Sequence, residues 1–158
     1  MTDSPAVRVV DGLAAAAQTL AVAESLTGGA VCVALTEAPG TSKVLRGGVV
    51  AYATPIKSEL LGVDAALLAR TGPVTAEVAE LMAQGVRARL GASVGIATTG
   101  EAGPDSATGA PPGKAFVAVA SDRGVWVDEI FVDGDRAEVQ RGTRDAVLRL
   151  LLAVLDEL

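Results

Sequence analysis

The sequence predicts an α/β fold: a three-layer α/β/α arrangement around a mixed, mostly parallel sheet that contains one antiparallel strand. Three observations carry this expectation. From Thr19 to Thr98, short apolar runs of strand length alternate with helix-like patterns, as in a sheet with crossover helices. Two segments of alternating apolar and polar residues then flank Asp122-Arg123-Gly124, which reads as an antiparallel hairpin. Finally, a long amphipathic segment beginning at Asp135 closes the chain.

Each element has its own signal. Val7 to Gln18 reads as an amphipathic helix with Arg8 and Asp11 on its polar side, and Thr19 to Ala23 as a short buried strand. A helix from about Thr27 to Glu37 stops at Ala38-Pro39-Gly40. Thr41 to Arg46 reads as a loop or short turn, and Gly47 to Ala53 as a strand. Pro55 opens a short helix at its favoured first-turn position, and Asp64 to Ala69 is a second. Thr75 as cap and Glu77 in the first turn start a long helix that runs to Leu90 and ends at Gly91. Ser93 to Thr98 is a buried strand; Thr99 to Pro112, rich in glycine and proline, is a loop long enough to suggest function. Lys114 to Ser121 and Val125 to Val132 form the hairpin, and Asp135 to Leu158 the last helix, with Val139, Val147, Leu150, Leu151 and Val154 inward.

At 158 residues the chain has the length of one domain with a full core, taken here as residues 1–158. Half of the residues are hydrophobic but only 3% are aromatic, so the core must be built from Ala, Val and Leu. The net charge of −6 argues against a nucleic-acid or anionic-membrane surface. No uncharged apolar stretch reaches the ~20 residues of a membrane span, and no leader pattern opens the chain. Cys32 is the single cysteine and reads as a buried structural thiol; without an internal disulfide, a reducing cytoplasm is expected. With no histidine, a metal site would rest mainly on carboxylates, so zinc is not expected.

Three loops follow strands on what should be one edge of the sheet: Ser25–Gly29, Ala51–Lys57 and Thr98–Gly103. Ligands in open α/β sheets bind at the carboxyl ends of strands, so these loops should converge. In Ala23-Glu24-Ser25-Leu26-Thr27-Gly28-Gly29 a serine sits at a strand-to-helix turn beside helix-start N–H groups. Without histidine its base must be another group, and a lysine with a depressed pKa can serve. Ser25, Lys57 and the only tyrosine, Tyr52, thus supply a minimum set for serine–lysine acyl transfer, with N–H groups near Thr27-Gly28-Gly29 for the oxyanion. Blander readings stand beside these. Ser25 also suits a helix N-cap, Tyr52 a strand-end aromatic and Lys57 a solvated helix residue. Glu24 suits a group that caps or orients the serine turn, or one merely paired there. Arg136 and Arg141 suit either solvent or a phosphate or carboxylate.

The ordered set Ala23-Glu24-Ser25-Leu26-Thr27-Gly28-Gly29, Tyr52 with Lys57, Leu61-Gly62-Val63, Gly72-Pro73-Val74-Thr75, Gly100-Glu101-Ala102-Gly103-Pro104-Asp105 and Gly134-Asp135-Arg136 resembles the CinA C-terminal domain family, the PncC-type nicotinamide-nucleotide amidohydrolases, from about Val7 to Leu155. The resemblance implies hydrolysis of the carboxamide of nicotinamide mononucleotide to nicotinate mononucleotide and ammonia. It implies Ser25 as nucleophile and Tyr52 and Lys57 as base-side partners. Glu24, Thr27, Gly28, Gly29, Gly100, Ala102, Gly103, Arg136 and Arg141 are then expected to hold the nucleotide. No metal or organic cofactor is implied, and a homodimer is. Leu26 stands where the family usually has cysteine, and Glu101 where it has an apolar residue. Ala110 precedes Pro111 where a lysine is usual, and Lys114 follows Gly113 instead. These departures keep two other readings open: a nucleotide-binding or regulatory domain without turnover, and an amidase for another small carboxamide.

Overall fold

The computed structural model describes residues 4–158. Among these residues the elements run α1 (Pro5–Ala15), β1 (Leu20–Glu24), α2 (Ala30–Thr36), β2 (Leu45–Val50), α3 (Thr54–Leu61), α4 (Ala65–Thr71), α5 (Ala76–Leu90), β3 (Val94–Gly100), β4 (Lys114–Ala120), β5 (Val125–Phe131) and α6 (Arg136–Ala153). The five strands form one mixed sheet in the order β2-β1-β3-β4-β5. β1 pairs in parallel with β2 and β3, whereas β3–β4 and β4–β5 are antiparallel. The expectation of a mostly parallel sheet is therefore corrected: two of the four pairings are parallel, because the hairpin supplies both antiparallel ones. β4 is nevertheless the one strand that runs against the others.

The strands alternate large and small residues, and the two faces differ accordingly. Leu20, Val22, Val94, Ile96, Val117 and Val119 face a core shared with α1, α2 and α6. Ala21, Ala23, Ala97, Ala118 and Ala120 face the other core, which α5 dominates. Each fully buried Leu, Val or Ile contributes about 1.5–3 kcal/mol to folding. The alanine face lets α5 lie close: a Cβ on Gly95 of β3 would come 2.1 Å from the Ala83 carbonyl oxygen.

Most boundaries shift by a few residues for local reasons. α1 begins at Pro5 because the Ser4 hydroxyl accepts from the Val7 N–H at 3.3 Å, and it stops where Ala17 takes φ +52°. The helix expected from Thr27 starts only at Ala30, since Gly28 (φ +58°) and Gly29 (φ +106°) form a left-handed turn before it. β2 begins earlier and ends earlier than expected, and β3 extends through Gly100. The last helix ends at Ala153 and gives way to a short 3-10 turn at Leu155–Glu157. Asp135 and Glu138 form a capping box that fixes the start of α6. Among the described residues no helix is long and apolar enough to cross a membrane.

One close approach sets the position of α3. Gly85 of α5 lies against the end of α3, where an added Cβ would be 1.9 Å from the Leu61 carbonyl oxygen. Gly85→Ala must push α3 outward and is expected to cost about 1–3 kcal/mol of stability, read by urea unfolding. Unchanged stability would mean that the helices do not meet this closely.

Candidate active site

The parallel strands end on one edge, so Ser25 after β1, Tyr52 after β2 and Glu101 after β3 come together there. Because β5 also ends on this edge, the start of α6 joins them and brings Arg136. Between them opens a cleft of about 610 Å³ lined by Ser25, Leu26, Tyr52, Ala53, Thr54, Gly100 to Asp105, Ala107, Thr108 and Arg136. Its size is ordinary for a small-molecule site.

Lys57 sits on the inward face of α3, one turn before the buried Leu61, and is only 1% exposed. Its Nζ lies 2.9 Å from Ser25 Oγ, 2.7 Å from the Ala51 carbonyl oxygen and 3.4 Å from the Tyr52 carbonyl oxygen. Burial pushes its pKa down to about 8. A neutral amine has two N–H groups and one lone pair. With both N–H groups donated to the two carbonyls, the lone pair faces the serine hydroxyl.

The serine turn is held from several sides. The Ser25 N–H donates to Thr98 Oγ1 at 3.4 Å, and the Thr98 and Thr27 hydroxyls pair at 2.9 Å. Gln140 of α6 donates from Nε2 to the Leu26 carbonyl at 3.0 Å. Gly28 N–H is committed to the Ser25 carbonyl and Gly29 N–H to Glu24, so of the oxyanion donors expected near Thr27-Gly28-Gly29 the two glycines are excluded. Among the described residues, the Leu26 and Thr27 N–H groups donate to no acceptor.

Glu24 does not face the cleft. It is fully buried, and its carboxylate accepts from the N–H groups of Gly29, Val31 and Cys32 at 3.2, 2.9 and 3.1 Å. The left-handed N-cap Gly29 has no side chain to cap α2, and Glu24 takes that place. The expectation that it touches the nucleotide is therefore corrected. Cys32, half-buried rather than buried, has its thiol pushed up to about 12 by burial and by the neighbouring Glu24, and stays protonated.

The tyrosine is 57% exposed, and its hydroxyl accepts from Arg136 Nη2 at 2.6 Å instead of meeting Ser25 or Lys57. Only its carbonyl touches Lys57. Arg136 Nη1 donates to the Gly103 carbonyl at 2.7 Å, so this arginine bridges the cleft mouth between Tyr52 and the loop after β3. Arg141 does not line the cleft: five residues beyond Arg136, it falls off the face that Arg136 and Gln140 share at helical spacing and is exposed. Thr27, Gly28 and Gly29 also lie outside the lining, whereas Gly100, Ala102 and Gly103 belong to it. At Gly100 a Cβ would come 2.6 Å from Ala115 Cβ, so β3 and β4 close tightly there.

Glu101 lines the cleft but is only 5% exposed. Burial alone would raise its pKa, yet hydrogen bonds from the Thr108 side chain and from the Thr108, Gly103 and Ala107 backbone outweigh that and hold it below its usual range. Sequence reasoning missed Thr98 and Gln140. Gln140 carried a usable signal, since it follows Arg136 by four residues; Thr98 read as the end of a buried strand and the start of a candidate loop, with no role at the serine turn. Among the described residues no three Cys, Asp or Glu side chains cluster so as to hold a metal ion.

Residues 2–155 match the model of the CinA C-terminal domain. A CinA-like protein of Frankia casuarinae is 47% identical over 122 residues, which are 77% of this chain and 28% of that protein. The chain spans about a third of the length of the curated relatives it matches. A competence-damaged protein (CinA) superfamily protein of Klebsiella pneumoniae superposes with a TM-score of 0.93 at 28% identity, covering 98% of this chain and 97% of that one. The competence/damage inducible protein CihA of Agrobacterium tumefaciens gives 0.91 at 33% identity, covering 96% and 93%.

Proposed function

The chain belongs to the CinA C-terminal domain family, and we propose that it hydrolyses the carboxamide of nicotinamide mononucleotide to nicotinate mononucleotide and ammonia. The observation that carries this reading is Lys57, buried on α3 with its Nζ 2.9 Å from Ser25 Oγ and two carbonyls fixing its other valences. Ser25 Oγ attacks the carboxamide carbon as Lys57 takes its proton. The free N–H groups of Leu26 and Thr27 stabilise the oxyanion of the tetrahedral intermediate. Lys57 returns the proton to the leaving nitrogen, ammonia departs, and the acid remains as an ester on Ser25. Water, deprotonated by Lys57, then cleaves the ester and restores the serine.

In this mechanism Tyr52 acts at the mouth of the cleft. Its hydroxyl proton remains available while its oxygen accepts from Arg136, and the two together grip the substrate beyond its ring. Gly100, Ala102 and Gly103 line the path of the nucleotide. A single domain acting as a homodimer in a reducing cytoplasm, on a small molecule rather than on nucleic acid or membrane and without a cofactor, completes the reading.

A second reading, an amidase for another small carboxamide, is favoured by one observation. Arg136 is the one cation among the lining residues, against Asp105 and Glu101. A panel of purified substrates tests both: nicotinamide mononucleotide, nicotinamide riboside and simple aliphatic carboxamides, with ammonia as the readout. Fastest release from the mononucleotide is expected. Preference for another carboxamide selects the second reading, and saturable mononucleotide binding with no release from any substrate selects a regulatory domain.

A further inference from the structure

We propose that Glu101 is a positioning residue for substrate binding, its buried carboxylate bracing the loop that walls the cleft between β3 and β4. The inference rests on reading this cleft as the substrate site. One carboxylate oxygen accepts from the Thr108 N–H at 2.9 Å and the Thr108 hydroxyl at 2.8 Å, and the other from the Gly103 N–H at 3.4 Å. The backbone of the same residue closes the base of the loop. Its N–H donates to the Lys114 carbonyl at 2.9 Å, and its carbonyl accepts from the Gly113 N–H at 2.8 Å. Glu101 thus ties both ends of the loop through its main chain and the middle through its side chain.

What the loop carries explains the consequence. Pro104, Asp105, Ala107 and Thr108 form the wall of the cleft, and the Gly103 carbonyl anchors Arg136, which in turn reaches Tyr52. A loop without regular structure loses much conformational entropy when it is held in one shape, so an internal brace matters. Ser25 directly follows β1 and Lys57 stands on α3, both outside the brace. A loosened loop therefore impairs binding and leaves the reacting pair in place.

Glu101→Gln is the near-isosteric test. An amide has one acceptor oxygen and one donor group, whereas the loop presents donors to both oxygens. KM for nicotinamide mononucleotide is expected to rise about tenfold with kcat within about twofold of wild type. Thr108→Val, which removes one donor to Glu101 and the acceptor for the Ala110 N–H, gives a smaller rise, and the double variant falls short of the sum of the two because they share the Thr108–Glu101 contact. Hydrogen exchange, which needs no turnover, is expected to quicken only in residues 102–113. Unchanged exchange there in Glu101→Gln overturns the proposal, as does a fall in kcat at constant KM or full additivity of the two substitutions. Absence of any turnover in the wild type counts against the site reading instead, and the exchange experiment still decides the brace.

Discussion

Ser25→Ala releases ammonia from nicotinamide mononucleotide at least ~10⁴-fold more slowly than wild type while binding it with little change. The expectation follows from where Ser25 stands. It is 7% exposed at the end of β1, and its hydroxyl is the group the buried amine meets. Alanine removes the nucleophile and the hydroxyl that meets Lys57 but takes only one oxygen from the cleft lining. The turn itself survives, because Glu24, Thr98 and Gln140 hold it through neighbouring backbone groups. Calorimetric titration beside the ammonia assay separates the two effects. Hydrolysis by the alanine variant at a rate near wild type contradicts serine catalysis.

Lys57→Met is expected to lose about 10³- to 10⁴-fold in kcat, and its pH behaviour identifies the cause. If neutral Lys57 is the base, wild-type kcat/KM rises with pH and levels off above about 8, where the free amine loses its proton. The methionine variant has no such limb. Stability responds to the same proton. The lysine pKa falls from its ordinary 10.5 to about 8 in the fold, so between these values the unfolded chain binds a proton that the folded chain does not. Stability therefore rises with pH through that window, and below it the buried cation costs on the order of 3 kcal/mol. Urea unfolding on both sides of the window should show this rise in wild type and not in Lys57→Met. An equal slope in both proteins contradicts the assignment.

The parts of the fold legible in the sequence are those governed by local pattern. Leu20, Val22, Val94 and Ile96 alternate with Ala21, Ala23, Gly95 and Ala97, and that alternation separates two faces before any tertiary contact is known. Thr75, as expected, and Asp135 mark helix starts with their own side chains. The balance of parallel and antiparallel pairing was less legible, because it depends on which strand the hairpin joins. In the site, a serine at a strand-to-helix turn and a lysine one turn before Leu61 could be found by type and position. Glu24 is a cap-type residue, but its reach to the helix start depends on the left-handed turn at Gly28 and Gly29. The Tyr52–Arg136 bond joins residues 84 apart in the chain, and the Thr27–Thr98 hydroxyl pair residues 71 apart. No local pattern encodes such contacts.

Activation of Ser25 by a buried lysine is decided by measuring ammonia and nicotinate mononucleotide together, wild type beside Lys57→Ala, at pH values on both sides of about 8. Equimolar products are predicted, with a wild-type rate that climbs through that pH and a variant rate that stays near background throughout. A wild-type profile reproduced in Lys57→Ala would contradict the account.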